Sequence, residues 1–123
     1  MRYDEQACLT EIYLEDSYVL AIEEGESTLV FAMDLVLLES HPFYKKPSAG
    51  ERYCYRRAEI LFRETECVSW QKRNDLVSVD ADGEVDLGNI DTFVADGRNY
   101  LLSGDWGTVS VTCDALMVKF HHD

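Results

Sequence analysis

The chain has 123 residues, 46% hydrophobic and 11% aromatic, with seven glycines and two prolines. That length fits one domain (residues 1–123) with a real core, and the composition excludes disordered, collagen-like and Pro-rich chains. Twenty-four Asp and Glu against 11 Lys and Arg give a net charge of −13, which repels phosphate backbones and anionic membranes, so neither nucleic acid nor membrane is an expected partner.

The dominant periodicity along the chain is two, the signature of strands. A short N-terminal helix is expected near Asp4–Leu9. Tyr18–Glu23 is a short apolar run, closed by the turn Glu24-Gly25-Glu26. Thr28–Leu38 follows, with Leu29, Phe31, Met33, Leu35 and Leu37 on one face and Val30, Ala32, Val36 and Leu38 on the other, broken by Asp34. Such a segment is a strand buried on both faces or a helix. Val30, Phe31 and Val36 favour strand, while Ala32, Met33 and the leucines keep helix open. His41-Pro42 ends it, because proline donates no hydrogen bond and excludes its predecessor from the helical region.

Phe43–Arg52 reads as the longest loop. Tyr53–Arg63 resumes alternation, with Cys54, Ala58, Ile60 and Phe62 on one face and Arg57, Glu59 and Arg63 on the other. Arg56 interrupts the apolar face, which places it at the strand's open end or pairs it inside. A turn is expected near Thr65, then a short strand at Val68 and Trp70. Val77–Val79 and Val85–Leu87 flank Asp82-Gly83, a hairpin signal because both residues tolerate positive φ. Ile90–Val94 and Tyr100–Leu102 flank a second hairpin turn, Asp96-Gly97-Arg98-Asn99, and Gly104-Asp105-Trp106-Gly107 forms a third. Val109, Val111 and Cys113 then alternate with Thr108, Ser110 and Thr112, and Leu116, Val118 and Phe120 complete the pattern. The expected fold is all-β: an antiparallel β-sandwich or flattened barrel of about eight or nine strands, with at most one or two short helices.

The charge is segregated. Residues 1–44 carry net −9, residues 45–73 net +4 and residues 74–123 net −8. The basic block is Lys45, Lys46, Arg52, Arg56, Arg57, Arg63, Lys72 and Arg73. Its plain reading is pairing with acids on neighbouring strands or on a twofold mate; its sharper reading is an anion site at Arg56-Arg57. Tyr44, Tyr53 and Tyr55 lie beside it, and Tyr with Arg is the composition of interface hot spots. Cys8, Cys54, Cys67 and Cys113 include no Cys-x-x-Cys pair. Neither a transmembrane run nor a secretory leader is expected, so free thiols in the cytoplasm are. A zinc site from Cys54, Cys67, Cys113 and His121 has no support from ligand spacing.

The strings YLEDSYVL (13–20), HPFYKKP (41–47), CYRRAEILF (54–62), GNIDTF (88–93) and GDWG (104–107) resemble those of small bacterial all-β domains of unknown function. The resemblance covers most of the chain. It implies a bacterial, cytoplasmic protein and brings no catalytic residues with it.

The acidic stretch Asp80, Asp82, Glu84 and Asp86 around Gly83 has the alternation of a calcium loop. Yet Ser78 stands at the loop's first position and Asn89 at its twelfth, so a solvated hairpin tip is the better reading. No nucleophile motif or phosphate-cradling glycine loop occurs, and no catalytic residue, metal ligand or cofactor is assigned. Trp106, between two glycines, is expected as a core plug whose indole N–H bonds a carbonyl.

The leading expectation is a non-catalytic protein-interaction module with an acidic face, such as an immunity-type inhibitor of a basic partner, and with a homodimer as a further expectation. The acidic hairpin (Asp80, Asp82, Glu84, Asp86) and the group Tyr53, Tyr55, Arg56 and Arg57 are its candidate binding residues. The alternatives are a β-domain that binds a small ligand or cation and, more weakly, an enzyme with an unrecognised site.

Overall fold

The computed structural model describes residues 7–47, 53–73, 78–79 and 85–121. A single 3-10 turn, Ala7–Leu9, stands where the N-terminal helix is expected. The described residues then form strands β1 (Ile12–Glu24), β2 (Thr28–Leu37), β3 (Cys54–Arg73), β4 (Ser78–Val79), β5 (Val85–Asp86), β6 (Thr92–Asp96), β7 (Asn99–Gly104) and β8 (Gly107–Phe120). Six of them make one antiparallel sheet in the order β1-β2-β3-β8-β7-β6, and β4 pairs with β5 alone.

The all-β, antiparallel expectation therefore holds, with a different partition of the chain. Tyr53–Arg63 and the segment at Val68–Trp70 are one 20-residue strand. No turn falls at Thr65. The strand passes through Glu64 at φ 54° and a register shift between Thr65 and Cys67, which bends it without ending it. Thr28–Leu37 is a strand, not a helix. Its inward residues Leu29, Phe31, Met33, Leu35 and Leu37 are buried, while Val30, Ala32 and Asp34 on the other face are half-buried. The expected hairpins at Asp96–Asn99 and Gly104–Gly107 are present, and Val79 pairs with Val85, while the Asp82-Gly83 turn itself lies outside the described residues. Gly97 at φ 61°, followed by a residue of negative φ, has the sign pattern of a type II′ turn.

The sheet coils strongly. β3 and β6 are three places apart in strand order, which in a flat sheet means about 14 Å. Yet the Phe62 and Phe93 rings stack at 6.1 Å, and Phe62 also meets Tyr100 at 5.4 Å and Phe31 at 6.2 Å. The core lies inside this curl. Trp106 plugs one end, edge-on to Phe31 at 5.1 Å and 1% exposed, its indole N–H donating to Asn89 O at 3.0 Å. Gly104 leaves the room for that contact, since a Cβ there would meet both Asn89 O and the indole nitrogen.

The sheet is not closed; β1 and β6 are its edges. Segment 87–91 runs between them. Val19 N–H donates to Gly88 O (2.8 Å), Leu87 N–H to Val19 O (2.7 Å), and Asp91 N–H to Ser103 O on β7 (2.8 Å). No helix among the described residues is long and apolar enough to cross a membrane.

Candidate functional site

The most distinctive surface is the outward face of β1, β2 and β3 near the start of β3. Its construction begins with an irregularity in β1. Tyr13 pairs with Val36 and Tyr18 with Asp34, so residues 14–17 all stand against Leu35. Such an excess would strand backbone polar groups, and Ser17 satisfies two of them. Fully buried, its hydroxyl donates to Tyr13 O (2.8 Å) and accepts from Val36 N–H (2.9 Å).

The bulge has a second effect. Tyr13 and Tyr18 are five residues apart and in a regular strand would face opposite ways. Here both are exposed, and they join Tyr53 and Tyr55 in a run of rings. The centroids are 6.0 Å apart for Tyr18–Tyr55, 6.1 Å for Tyr55–Tyr53 and 6.3 Å for Tyr53–Tyr13. Val36, paired with Tyr13 on one side and Tyr55 on the other, is 1% exposed although it stands on the outward face. The bulge also directs Asp16 onto this face, where Tyr53 Oη donates to its Oδ2 at 2.6 Å. Burial, then the neighbouring Tyr18 hydroxyl and the charges of Asp34 and Asp16, push the Tyr55 phenol up to about 12. Its hydroxyl is therefore a proton donor at every physiological pH. Asp34 and Arg57, cross-strand neighbours, approach to 4.0 Å.

The two candidate arginines are not brought together. Adjacent in β3, they project to opposite faces. Arg57 joins the tyrosine face. Arg56 sits at the open end of the inward face, its guanidinium 5.1 Å over the Phe43 ring and Nη2 donating to His121 O at 3.3 Å. Its Nε is buried without a hydrogen-bond partner. His41, Phe43 and Phe120 form an aromatic cluster there, with centroids 5.1 to 5.6 Å apart. Tyr44 packs against the core instead of joining a surface patch.

Of the acidic hairpin, Asp80, Asp82 and Glu84 lie outside the described residues, and Asp86 is placed by its backbone in β5. Among the described residues no group of three His, Cys, Asp or Glu is arranged to hold a metal ion. Cys54 and Cys113 are buried and Cys67 is exposed, so those three do not share one environment. Burial pushes the thiols of Cys8 and Cys113 up, away from the reactive thiolate.

The face on β1–β3 can therefore offer stacking surface, phenolic donors and carboxylate acceptors. Sequence reasoning singled out Tyr53, Tyr55 and Arg57 but missed Tyr13, Asp16 and Tyr18. The available signal was the polar triple Glu15-Asp16-Ser17, which breaks alternation inside a strand as a bulge does. No family model, curated protein or solved structure matches the chain.

Proposed function

We propose that this chain is a non-catalytic protein-interaction module that docks a basic protein partner on the tyrosine-rich face of β1–β3; an immunity-type inhibitor of a basic protein is one concrete form. The observation that carries the reading is the run of rings Tyr18, Tyr55, Tyr53 and Tyr13, exposed at its two ends and half-buried between them, with Tyr53 bonded to Asp16. Tyrosine supplies large contact area at low entropic cost with a polar handle, which is why it is enriched at interfaces. The net charge of −13 favours a cationic partner and speeds its encounter. We read the whole as a flattened, incompletely closed barrel. The hydrogen bonds of segment 87–91 to Val19 and Ser103, which carry chain from one edge towards the other, support that reading.

The test uses a labelled oligoarginine peptide, with oligoglutamate as control, in fluorescence anisotropy titrations. Binding is expected to weaken with salt and to fall about tenfold or more in Tyr18→Ala and Asp16→Asn. Glu26→Gln, at the exposed β1–β2 turn, removes the same charge as Asp16→Asn away from this face. Equal losses in Asp16→Asn and Glu26→Gln would mean diffuse attraction to an acidic surface and would overturn the proposed face.

A further inference from the structure

Arg56 stands half-buried at the open end of the inward face, and among the described residues no carboxylate pairs with it. Asp34 on β2 is engaged by Arg57, and Glu59 further along β3 by His121. A guanidinium offers N–H donors in a fixed fork and no acceptor. Here Nη2 donates to His121 O, while the Nε hydrogen is shut off from water and meets no acceptor at all. Water cannot serve that part of the charge, so an anion at the accessible Nη end compensates it as water does not.

His41 supplies a second donor. Its Nδ1 accepts from Phe43 N–H, so the neutral ring carries its proton on Nε2, where no described residue accepts it. Burial, with the Arg56 charge, holds that ring neutral against the pull of Glu11. Around these donors the surface is aromatic. The Phe43 ring, 44% exposed, has the guanidinium 5.1 Å over it and stands edge-on to Phe120 at 5.1 Å, and Phe120 meets His41 at 5.2 Å.

We propose that this corner binds a small monocarboxylate with a flat apolar body, its carboxylate on the Arg56 Nη groups with His41 Nε2 as second donor, its body against Phe43 and Phe120. Charge selects the class. One arginine fork matches the two oxygens of one carboxylate, and the −13 of the chain opposes every further negative charge on a ligand, which disfavours phosphate and dicarboxylates. The site is independent of the tyrosine face, because Arg56 and Arg57 project to opposite faces of β3.

Ligand-observed NMR at low ionic strength tests this with benzoate as the probe. Acetate lacks the ring, benzyl alcohol lacks the charge, and inorganic phosphate carries more of it. Saturable binding of benzoate is expected, about tenfold or more tighter than that of each control. Arg56→Gln is expected to weaken it about tenfold or more, and Arg57→Gln, on the opposite face, to leave it unchanged within about twofold. A second measurement needs no variant. An Nε–H shut off from water exchanges slowly, so Arg56 should give a sharp side-chain signal in the nitrogen–proton correlation spectrum, and benzoate should shift it more than that of any other arginine. No saturable binding, a control that binds as tightly as benzoate, equal losses in Arg56→Gln and Arg57→Gln, or an Arg56 Nε–H signal that does not move would each overturn the proposal.

Discussion

Ser17 shows how one side chain can hold an irregular strand together. Its hydroxyl serves both the Tyr13 carbonyl and the Val36 amide inside the β1 bulge. Ser17→Ala removes this partner from the buried Val36 amide and from the partly buried Tyr13 carbonyl. The expected cost is about 1–3 kcal/mol, read as a lower denaturant midpoint at unchanged slope. Tyr53 Oη–Asp16 depends on the same bulge, so the variant should also weaken binding of a cationic peptide beyond the stability loss. A serine buried amid apolar neighbours was legible as a residue but not as a plug, because its role depends on how many residues of β1 oppose Leu35. Pairing register is a property of two strands and cannot be read from one.

At the level of elements, the end of β2 carries the clearest pH dependence. His41 N–H donates to Leu38 O, and His41 Nδ1 accepts from Phe43 N–H at 3.0 Å, so the turn that follows β2 needs an unprotonated Nδ1. Burial, with the neighbouring Arg56 charge, holds the imidazole below its ordinary 6.5 against the opposing pull of Glu11. The folded state thus favours the neutral ring. Stability linked to His41 is complete above its unfolded value and is lost as pH falls through the lowered folded value. Urea melts between about pH 7 and 5 should show this slope, and His41→Asn, which keeps an acceptor near the Nδ1 position without titrating there, should flatten it. Strand identity and hairpins were readable in such segments because alternation and turn chemistry are local. Strand length was not. The segment near Thr65 reads as a turn in sequence, yet the chain stays extended because β8 pairs with β3 on both sides of the irregularity, Arg63 with Ala115 and Thr65 with Cys113 around Glu64, and Cys67 with Thr112 beyond the register shift.

For the whole molecule, strand order decides what depends on what. β3 and β8 lie at the centre, and residues 58–63 of β3 are the stretch flanked by β2 on one side and β8 on the other. A chain ending at Asp114 lacks the partners of Ala58–Arg63 and uncovers one side of that stretch. It is expected to partition into the insoluble fraction, or to bind a hydrophobic dye where soluble, as an exposed central strand does. Of the surface tyrosines, by contrast, only Tyr53 and Tyr55 were visible in sequence as part of a patch; their grouping with Tyr13 and Tyr18 needed both the bulge and the β1–β2–β3 order.

The hydrogen bond from His121 N–H to Arg57 O joins the middle of the chain to its last described residue. During synthesis β1, β2 and the first half of β3 leave the ribosome long before β8. The nascent chain must therefore carry the β8-facing flank of β3 unmatched until β8 itself has emerged, so the sheet is completed late instead of being assembled strand by strand from β1 onwards.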